Sequence, residues 1–133
     1  MVYTSATLSL AVMELLVHLD DDDLARSYVA VPADIPEGVA VARRRAAELP
    51  RRWRRIPAPA ALADIGRRWA EARETAVLAV PSAIIPHELN YLLNPRHPQF
   101  GRIRVGRPEP FAFDPRLQHW SSGRGRNRQR GGS

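Results

Sequence analysis

The stretch between Thr7 and Leu19 is apolar on nearly every helical face, and this feature limits most strongly how the chain can fold. Its apolar residues follow the i, i+3, i+4 spacing of a helix, and three hydroxyl side chains could cap the start: Thr4, Ser5 and Thr7. Only Glu14 and His18 are ionisable within it. Because a helix that is apolar almost all round is buried almost all round, the sequence predicts a central helix carrying a carboxylate.

The rest of the chain alternates between apolar and polar segments. Two apolar runs end at a proline and predict strands, a stretch with one apolar face predicts a second helix, and two shorter runs predict further strands (27–32 and 75–81, 60–73, 103–105 and 111–113). The arginine-rich stretch 39–55, with Pro50 inside it, fits either an exposed helix or an irregular insertion. This alternation predicts an α+β domain with a mixed sheet and few helices.

Two charged or polar stretches are predicted to lie in water. The acidic run 20–23 follows the first helix, where the helix dipole disfavours negative charge, so we expect a solvated turn there. From Ser121 onward the chain has no apolar residue and is rich in Gly and Arg. We therefore expect one domain over 1–120 and a disordered tail over 121–133.

Composition excludes several classes of protein. The chain has no cysteine, which rules out disulfides and thiolate zinc sites, and Glu14 interrupts the only candidate leader or membrane span. We expect a cytoplasmic protein. The formal net charge is +6 with arginine as the only basic residue type apart from histidine, and four of the arginines lie in the tail.

Three segments together resemble the RES family of toxins. They are Val2–Ser5 running into the helix with Glu14, the strand ending in Val80-Pro81-Ser82, and 88–98 continuing to 111–117. The family is named for an arginine, a glutamate and a serine. Glu14 matches the glutamate and Ser82 the serine, whereas the arginine is expected upstream of Tyr3.

The resemblance implies a fold similar to the ADP-ribosyltransferases, lacking its N-terminal part. It also implies NAD as a substrate rather than a bound cofactor, cleavage of the nicotinamide–ribose bond by phosphate or water, and an Xre-like antitoxin partner. A guanidinium binds a pyrophosphate through paired, charge-assisted hydrogen bonds. Without the upstream arginine, we expect the 133-residue chain to consume little NAD.

Glu14 is the candidate for the central chemical role. Breaking a glycosidic bond develops positive charge on the ribose, which a fixed carboxylate stabilises. A carboxylate on an apolar helix is costly to bury alone, so from the residues alone Glu14 is either catalytic or reaches solvent or His18. The resemblance favours the catalytic role.

Four other residues are candidates for the site, each with a plainer alternative. Ser82 follows a strand end without a nucleophile-elbow motif, so we expect a hydrogen bond to NAD, or an ordinary turn role. Tyr3 could stack on nicotinamide or pack in the core. Asn90 and Asn94 could contact the ligand or orient turns.

Two remaining possibilities concern metals and nucleic acid. The four histidines have no metal-binding spacing, so no metal is predicted. The arginines of 43–55 and of the tail could contact phosphates of nucleic acid, although a solvated face explains them as well. Three interpretations stay open: an active toxin translated from an upstream start, an inactive truncated form that still binds the antitoxin, and an arginine-rich nucleic-acid-binding module.

Overall fold

A computed structural model describes residues 1–117, which form an α+β fold with a mixed sheet and few helices. The strands are β1 (Val2–Ser5), β2 (Tyr28–Ala30), β3 (Ala33–Asp34), β4 (Val41–Arg43), β5 (Val77–Pro81), β6 (Leu89–Leu93), β7 (Arg104–Val105) and β8 (Glu109–Phe111). The helices are α1 (Leu8–Leu16), α2 (Asp21–Leu24) and α3 (Ala60–Ala72), with single 3-10 turns at Ala46–Glu48, Pro98–Arg102 and Pro115–Leu117. The fold class predicted from the sequence is confirmed.

The main sheet has four strands in the order β1-β6-β5-β4. Strand β5 pairs antiparallel with β6 from Val77 opposite Leu93 to Pro81 opposite Leu89, and β4 runs parallel to β5. The segment Ala76–Ala79 is buried on both faces, as its uninterrupted apolar sequence requires. Two small antiparallel pairs, β2 with β8 and β3 with β7, complete the strand pairing.

Helix α1 starts where the sequence predicts but is shorter and more exposed. The Thr7 side chain caps it by accepting a hydrogen bond from the Leu10 amide, and the helix ends at Leu16 rather than Leu19. Leu10 and Leu16 are buried, whereas Leu8 is 55% exposed. The expectation of burial all round is therefore wrong, because one apolar face of α1 borders an open cleft.

The acidic run begins a helix instead of forming a solvated turn. Asp20 accepts a hydrogen bond from the amide of Asp23, whose carboxylate accepts one from the amide of Asp20, so the two residues form a capping box for α2. Negative charge is favourable at this end of a helix. The prediction placed the run after one helix and missed that it precedes another.

Residues 39–55 are mostly irregular, but they contribute β4 to the main sheet, and the exposed-helix alternative is wrong. Strand β6, which lies between β1 and β5, was also not predicted from the sequence. Strands β4 and β6 are each defined by their pairing with β5, which the local sequence does not reveal. The predicted strands at 27–32, 75–81, 103–105 and 111–113 match β2, β5, β7 and β8 within a few residues.

Two further expectations from the sequence concern the C-terminal tail and a possible membrane span. The predicted disordered tail lies outside the described residues. Among residues 1–117, none of the helices has the length and apolar character needed to span a bilayer.

The predicted second helix is confirmed as α3, which packs on the sheet through Trp69. The indole nitrogen of Trp69 donates to the Thr75 hydroxyl at 2.9 Å, fixing the turn into β5. Gly66 lies buried in the same helix, and a Cβ built on it would meet Met1 and Leu92 atoms at 3.5 Å or more. These are ordinary contact distances, so the space for a methyl group is present.

We therefore expect Gly66→Ala to raise the free energy of unfolding by about 0.5–1 kcal/mol, because alanine restricts the unfolded chain and favours the helix. Gly106→Ala is the control, since its Cβ would lie 2.7 Å from Cγ of Pro32 and should lower stability by about 1 kcal/mol or more. Urea denaturation measures both. A destabilised Gly66→Ala would contradict the packing described here.

Candidate active site

Three polar side chains from separate parts of the chain meet at one carboxylate oxygen. Oε1 of Glu14 accepts a hydrogen bond from the Ser82 hydroxyl at 2.6 Å and another from the Asn90 amide nitrogen, also at 2.6 Å. Short bonds of this kind to an ionised carboxylate are stronger than bonds between neutral groups. We call these three residues the Glu14 cluster.

The sheet and helix α1 bring the Glu14 cluster together. Ser82 directly follows β5, while Asn90 lies on β6 opposite both Val80 of β5 and Ser5 of β1. Glu14 is two residues from the last residue of α1, where the helix dipole disfavours a carboxylate. The two hydrogen bonds to Oε1 offset that cost.

Ser82 is fully buried, and its hydroxyl uses its hydrogen-bonding capacity within the protein. Its oxygen accepts hydrogen bonds from the amides of Ile84 and Ile85, both at 3.1 Å, while its hydrogen is donated to Glu14. The Ser82 amide donates to the Glu88 carbonyl at 2.9 Å, which closes the loop between β5 and β6. A hydroxyl engaged in this way is a fixed donor to the carboxylate.

The orientation of the Asn90 amide is also fixed. Its Oδ1 accepts a hydrogen bond from the Ser5 hydroxyl at 2.8 Å, so its Nδ2 points toward Glu14. A carboxylate can only accept, which requires that arrangement. Sequence reasoning considered Ser5 only as a possible helix cap, and no sequence signal reveals its role because the role depends on strand register.

The second carboxylate oxygen of Glu14 is open. Within residues 1–117, Oε2 has no hydrogen-bond partner, and no side-chain nitrogen or oxygen there is both buried and without one. Oε2 is therefore reached by solvent. His18 lies beyond the end of α1 and forms no ion pair with Glu14 in this part of the chain.

An open cleft of about 700 Å³ lies along one face of α1. Apolar side chains of α1, including Leu8 and Leu15, line it together with residues of β1, β2 and β8. The members of the Glu14 cluster are not among its lining residues, but Ser5 belongs to the lining and also donates to Asn90. Ser5 therefore connects the cleft to the carboxylate site.

Comparison with known proteins identifies the family of this chain. The RES domain model matches residues 1–114. This chain belongs to the RES family. A protein named Toxin Res from Yersinia enterocolitica is 38% identical over 118 residues, covering 88% of this chain and 77% of the relative. Another Toxin Res, from Photorhabdus laumondii, is 37% identical over 118 residues, covering 87% of this chain and 74% of that protein.

A relative with a different name has similar coverage. The Prs ADP-ribosylating toxin of a Sphingobium species is 34% identical over 118 residues, which cover 87% of this chain and 73% of the relative. Glu14 and Ser82, the glutamate and serine that the resemblance assigned to the RES name, share a hydrogen bond in the structure.

The other candidates named from the RES resemblance lie in different places. Asn90 belongs to the Glu14 cluster and lies on a strand, not in a turn. Tyr3 is 72% exposed and lines the cleft, so it is not packed in the core. The structure does not bring Asn94 into the cluster, since it follows the far end of β6.

Asn94 instead uses its amide group to join secondary-structure elements. It is 1% exposed, its nitrogen donates to the Ala70 carbonyl at 2.9 Å, and its oxygen accepts from the Arg96 amide at 3.1 Å. Ala70 is in the last turn of α3, where carbonyls lack partners within the helix. Asn94 therefore caps α3 from the sheet.

Metal binding has no support from the arrangement of side chains. Across residues 1–117, no three histidine, aspartate or glutamate side chains are grouped closely enough to hold an ion.

We expect Asn94→Ala to lower the free energy of unfolding by about 1–3 kcal/mol, because it leaves a buried carbonyl and a backbone amide without partners. Asn90→Ala, at a half-buried position, should cost less stability. Chemical denaturation of both variants measures the difference. If Asn94→Ala kept wild-type stability but bound NAD more weakly, the ligand-binding role suggested by the sequence would be supported instead.

Proposed function

We propose that this protein is a toxin that degrades NAD by breaking the bond between nicotinamide and ribose. The observation that carries the proposal is the half-open Glu14 carboxylate, whose Oε1 is held by Ser82 and Asn90 while Oε2 faces solvent. The names of two RES relatives, Toxin Res and Prs ADP-ribosylating toxin, support the biological role.

The reaction class follows from what such a carboxylate can do. In NAD the C–N bond at the anomeric carbon breaks and nicotinamide leaves with the bonding electron pair, so positive charge develops on the ribose. A fixed negative charge beside that carbon stabilises the transition state more than the ground state. An oxygen of phosphate or water then forms the new bond to the anomeric carbon, and nicotinamide is released.

The members of the Glu14 cluster divide this work between them. Oε2 is the atom available to the ribose, either to its hydroxyls or to its developing charge. Ser82 and Asn90 contribute by holding Oε1, which keeps the carboxylate from turning away and avoids reorganisation during the reaction. Ser82 acts as a donor to Glu14 and not as a nucleophile, because its oxygen is fully buried and already accepts hydrogen bonds from the amides of Ile84 and Ile85.

Tyr3, at the rim of the cleft, is suited to contact the nicotinamide ring of the substrate. Tyr3 is exposed on β1 and lines the cleft, and β1 also carries Ser5, which holds Asn90. An exposed ring can stack on a flat nicotinamide ring with little loss of conformational freedom. We propose that Tyr3 contacts the nicotinamide while the Glu14 cluster faces the ribose.

A toxin that removes NAD also endangers the cell that makes it. The Toxin Res names of RES relatives therefore support a neutralising partner, and we propose an Xre-like antitoxin protein. Cellular toxicity that an adjacent antitoxin gene suppresses would support that partner.

We expect Glu14→Gln to lower the rate of nicotinamide release by about 10²–10³-fold, since the amide keeps the shape but loses the charge. Glu37→Gln is the matched control, because Glu37 is exposed and forms no hydrogen bond or ion pair within residues 1–117. The gene is expressed with its native upstream DNA and, separately, as the 133-residue chain alone. NAD and nicotinamide are measured in both preparations.

The two preparations distinguish an active toxin that needs an upstream segment from a chain that is active, or inactive, on its own. NAD loss that depends on Glu14 in either form supports the proposal, and loss from the 133-residue chain alone would show that an upstream arginine is dispensable. Absence of Glu14-dependent NAD loss in both forms would contradict the enzymatic role.

We expect Asn90→Ala to lower kcat about ten-fold while leaving a folded protein, because Oε1 then keeps one of its two charge-assisted bonds. Steady-state kinetics and circular dichroism of the same preparation provide the measurement. An unchanged kcat would mean that Ser82 alone is sufficient to position Glu14.

A further inference from the structure

Arg54 connects the arginine-rich segment 43–55 to the loop that follows Ser82. Its Nε donates to the Ala83 carbonyl at 2.7 Å, a contact between residues that are 29 positions apart in the chain. Among the described residues, no other side chain of segment 43–55 forms a hydrogen bond with that loop. The guanidinium is therefore held next to the peptide that carries Ser82.

The rest of the Arg54 guanidinium is free. Arg54 is exposed, and within residues 1–117 its two terminal nitrogens have no hydrogen-bond partner and no carboxylate within ion-pair distance. Four of the sixteen arginines in residues 1–117 are paired with carboxylates, and Arg54 is among the twelve that are not: the paired ones are Arg26, Arg45, Arg67 and Arg116. Arg54 thus keeps its full positive charge and an open pair of donors.

The surroundings of Arg54 strengthen its attraction for anions. Segment 43–55 contains seven arginines and a single glutamate, and that glutamate is paired with Arg45. Charges on one short segment combine into a local positive potential. Trp53, the residue before Arg54, is half-buried.

We propose that Arg54 binds a phosphate group of the reactants next to the Glu14 cluster. With Nε fixed to a carbonyl, the planar guanidinium presents its two terminal nitrogens in a set direction, which suits bidentate binding of phosphate oxygens. The proposal rests on the proposed NAD cleavage, and it assigns the anion-binding arginine to a residue within this chain.

The contacts to Glu14 and to Arg54 are made by neighbouring residues of the chain. Ser82 touches Glu14 through its side chain, and the next residue, Ala83, touches Arg54 through its carbonyl. Consecutive Cα atoms are about 3.8 Å apart. In a dinucleotide, the anomeric carbon and the nearest phosphorus are separated by only part of the ribose ring, one methylene and one oxygen.

The test compares Arg54→Lys with Arg55→Lys. Both variants keep the charge, but Arg54→Lys loses the Nε donor and the planar fork. Arg55 is exposed, and its side chain has no hydrogen-bond or ion-pair partner within residues 1–117. ADP-ribose and nicotinamide riboside are the probes, and calorimetry measures their dissociation constants. The riboside has the ribose and nicotinamide but no phosphate.

We expect Arg54→Lys to raise the dissociation constant for ADP-ribose about ten-fold and to leave that for nicotinamide riboside unchanged, with Arg55→Lys within two-fold of wild type for both. An equal loss for both probes would overturn the proposal, because Arg54 would then act only by positioning the Ser82 loop. Failure of the wild-type protein to bind ADP-ribose would overturn it as well.

A further binding measurement, with inorganic phosphate as the probe, distinguishes whether Arg54 binds the substrate's pyrophosphate or an acceptor phosphate. If Arg54 holds the acceptor, Arg54→Lys raises the dissociation constant for inorganic phosphate and leaves ADP-ribose binding intact. No change for either anion would reject the proposal. Arg54-dependent ADP-ribose binding without nicotinamide release would instead support the phosphate site and count against the proposed cleavage, so the two hypotheses can fail separately.

Discussion

The Ser82 hydroxyl joins the three parts of the molecule on which the candidate site depends. It accepts from two amides of its own loop and donates to Glu14 on helix α1, all without exposure to solvent. A buried hydroxyl left without partners would cost about 1–3 kcal/mol, so these bonds specify one arrangement of strand end, loop and helix. The position of α1 on the sheet and the direction of its carboxylate are thus set together.

The asymmetry of Glu14 follows from that arrangement. Both hydrogen bonds from the protein go to one oxygen, and the second oxygen is open to solvent. A fully buried carboxylate would need protein partners for both oxygens, whereas Oε2 of the half-buried Glu14 can be satisfied by water or by a ligand. A carboxylate that is fixed through one oxygen and available through the other is preorganised for a ligand.

The sequence predicts those elements whose signals are local. The apolar spacing of 60–73, the Thr7 cap and the apolar run before Pro81 depend on neighbouring residues, and all three appear as predicted. Strands β4 and β6 were not predicted, because each is defined by pairing with β5 at a distance in the chain. The acidic run was misjudged because the same charges are unfavourable after one helix and favourable before the next.

The site shows the same division between local and distant information. Glu14 and Ser82 could be named from the sequence through the RES resemblance, but their mutual hydrogen bond could not. Asn90 and Asn94 look alike in the sequence, four residues apart, and only strand register separates them: one side chain reaches Glu14 and the other caps α3. Ser5 was missed as a positioning residue because its partner, Asn90, lies on a strand that was itself not predicted.

The dipeptide Ser82-Ala83 holds the Glu14 carboxylate and the Arg54 guanidinium at separate points, so the two opposite charges do not pair. Glu14 would repel the phosphates of the proposed dinucleotide substrate, and an arginine that paired directly with Glu14 would cancel the charge proposed to act on the ribose. The Ser82 side chain holds the carboxylate, while the Ala83 carbonyl holds Arg54. The cation and the anion are therefore anchored to adjacent residues without forming an ion pair. This separation suits the proposed substrate, which would develop positive charge at the ribose and carries negative charge on its phosphates.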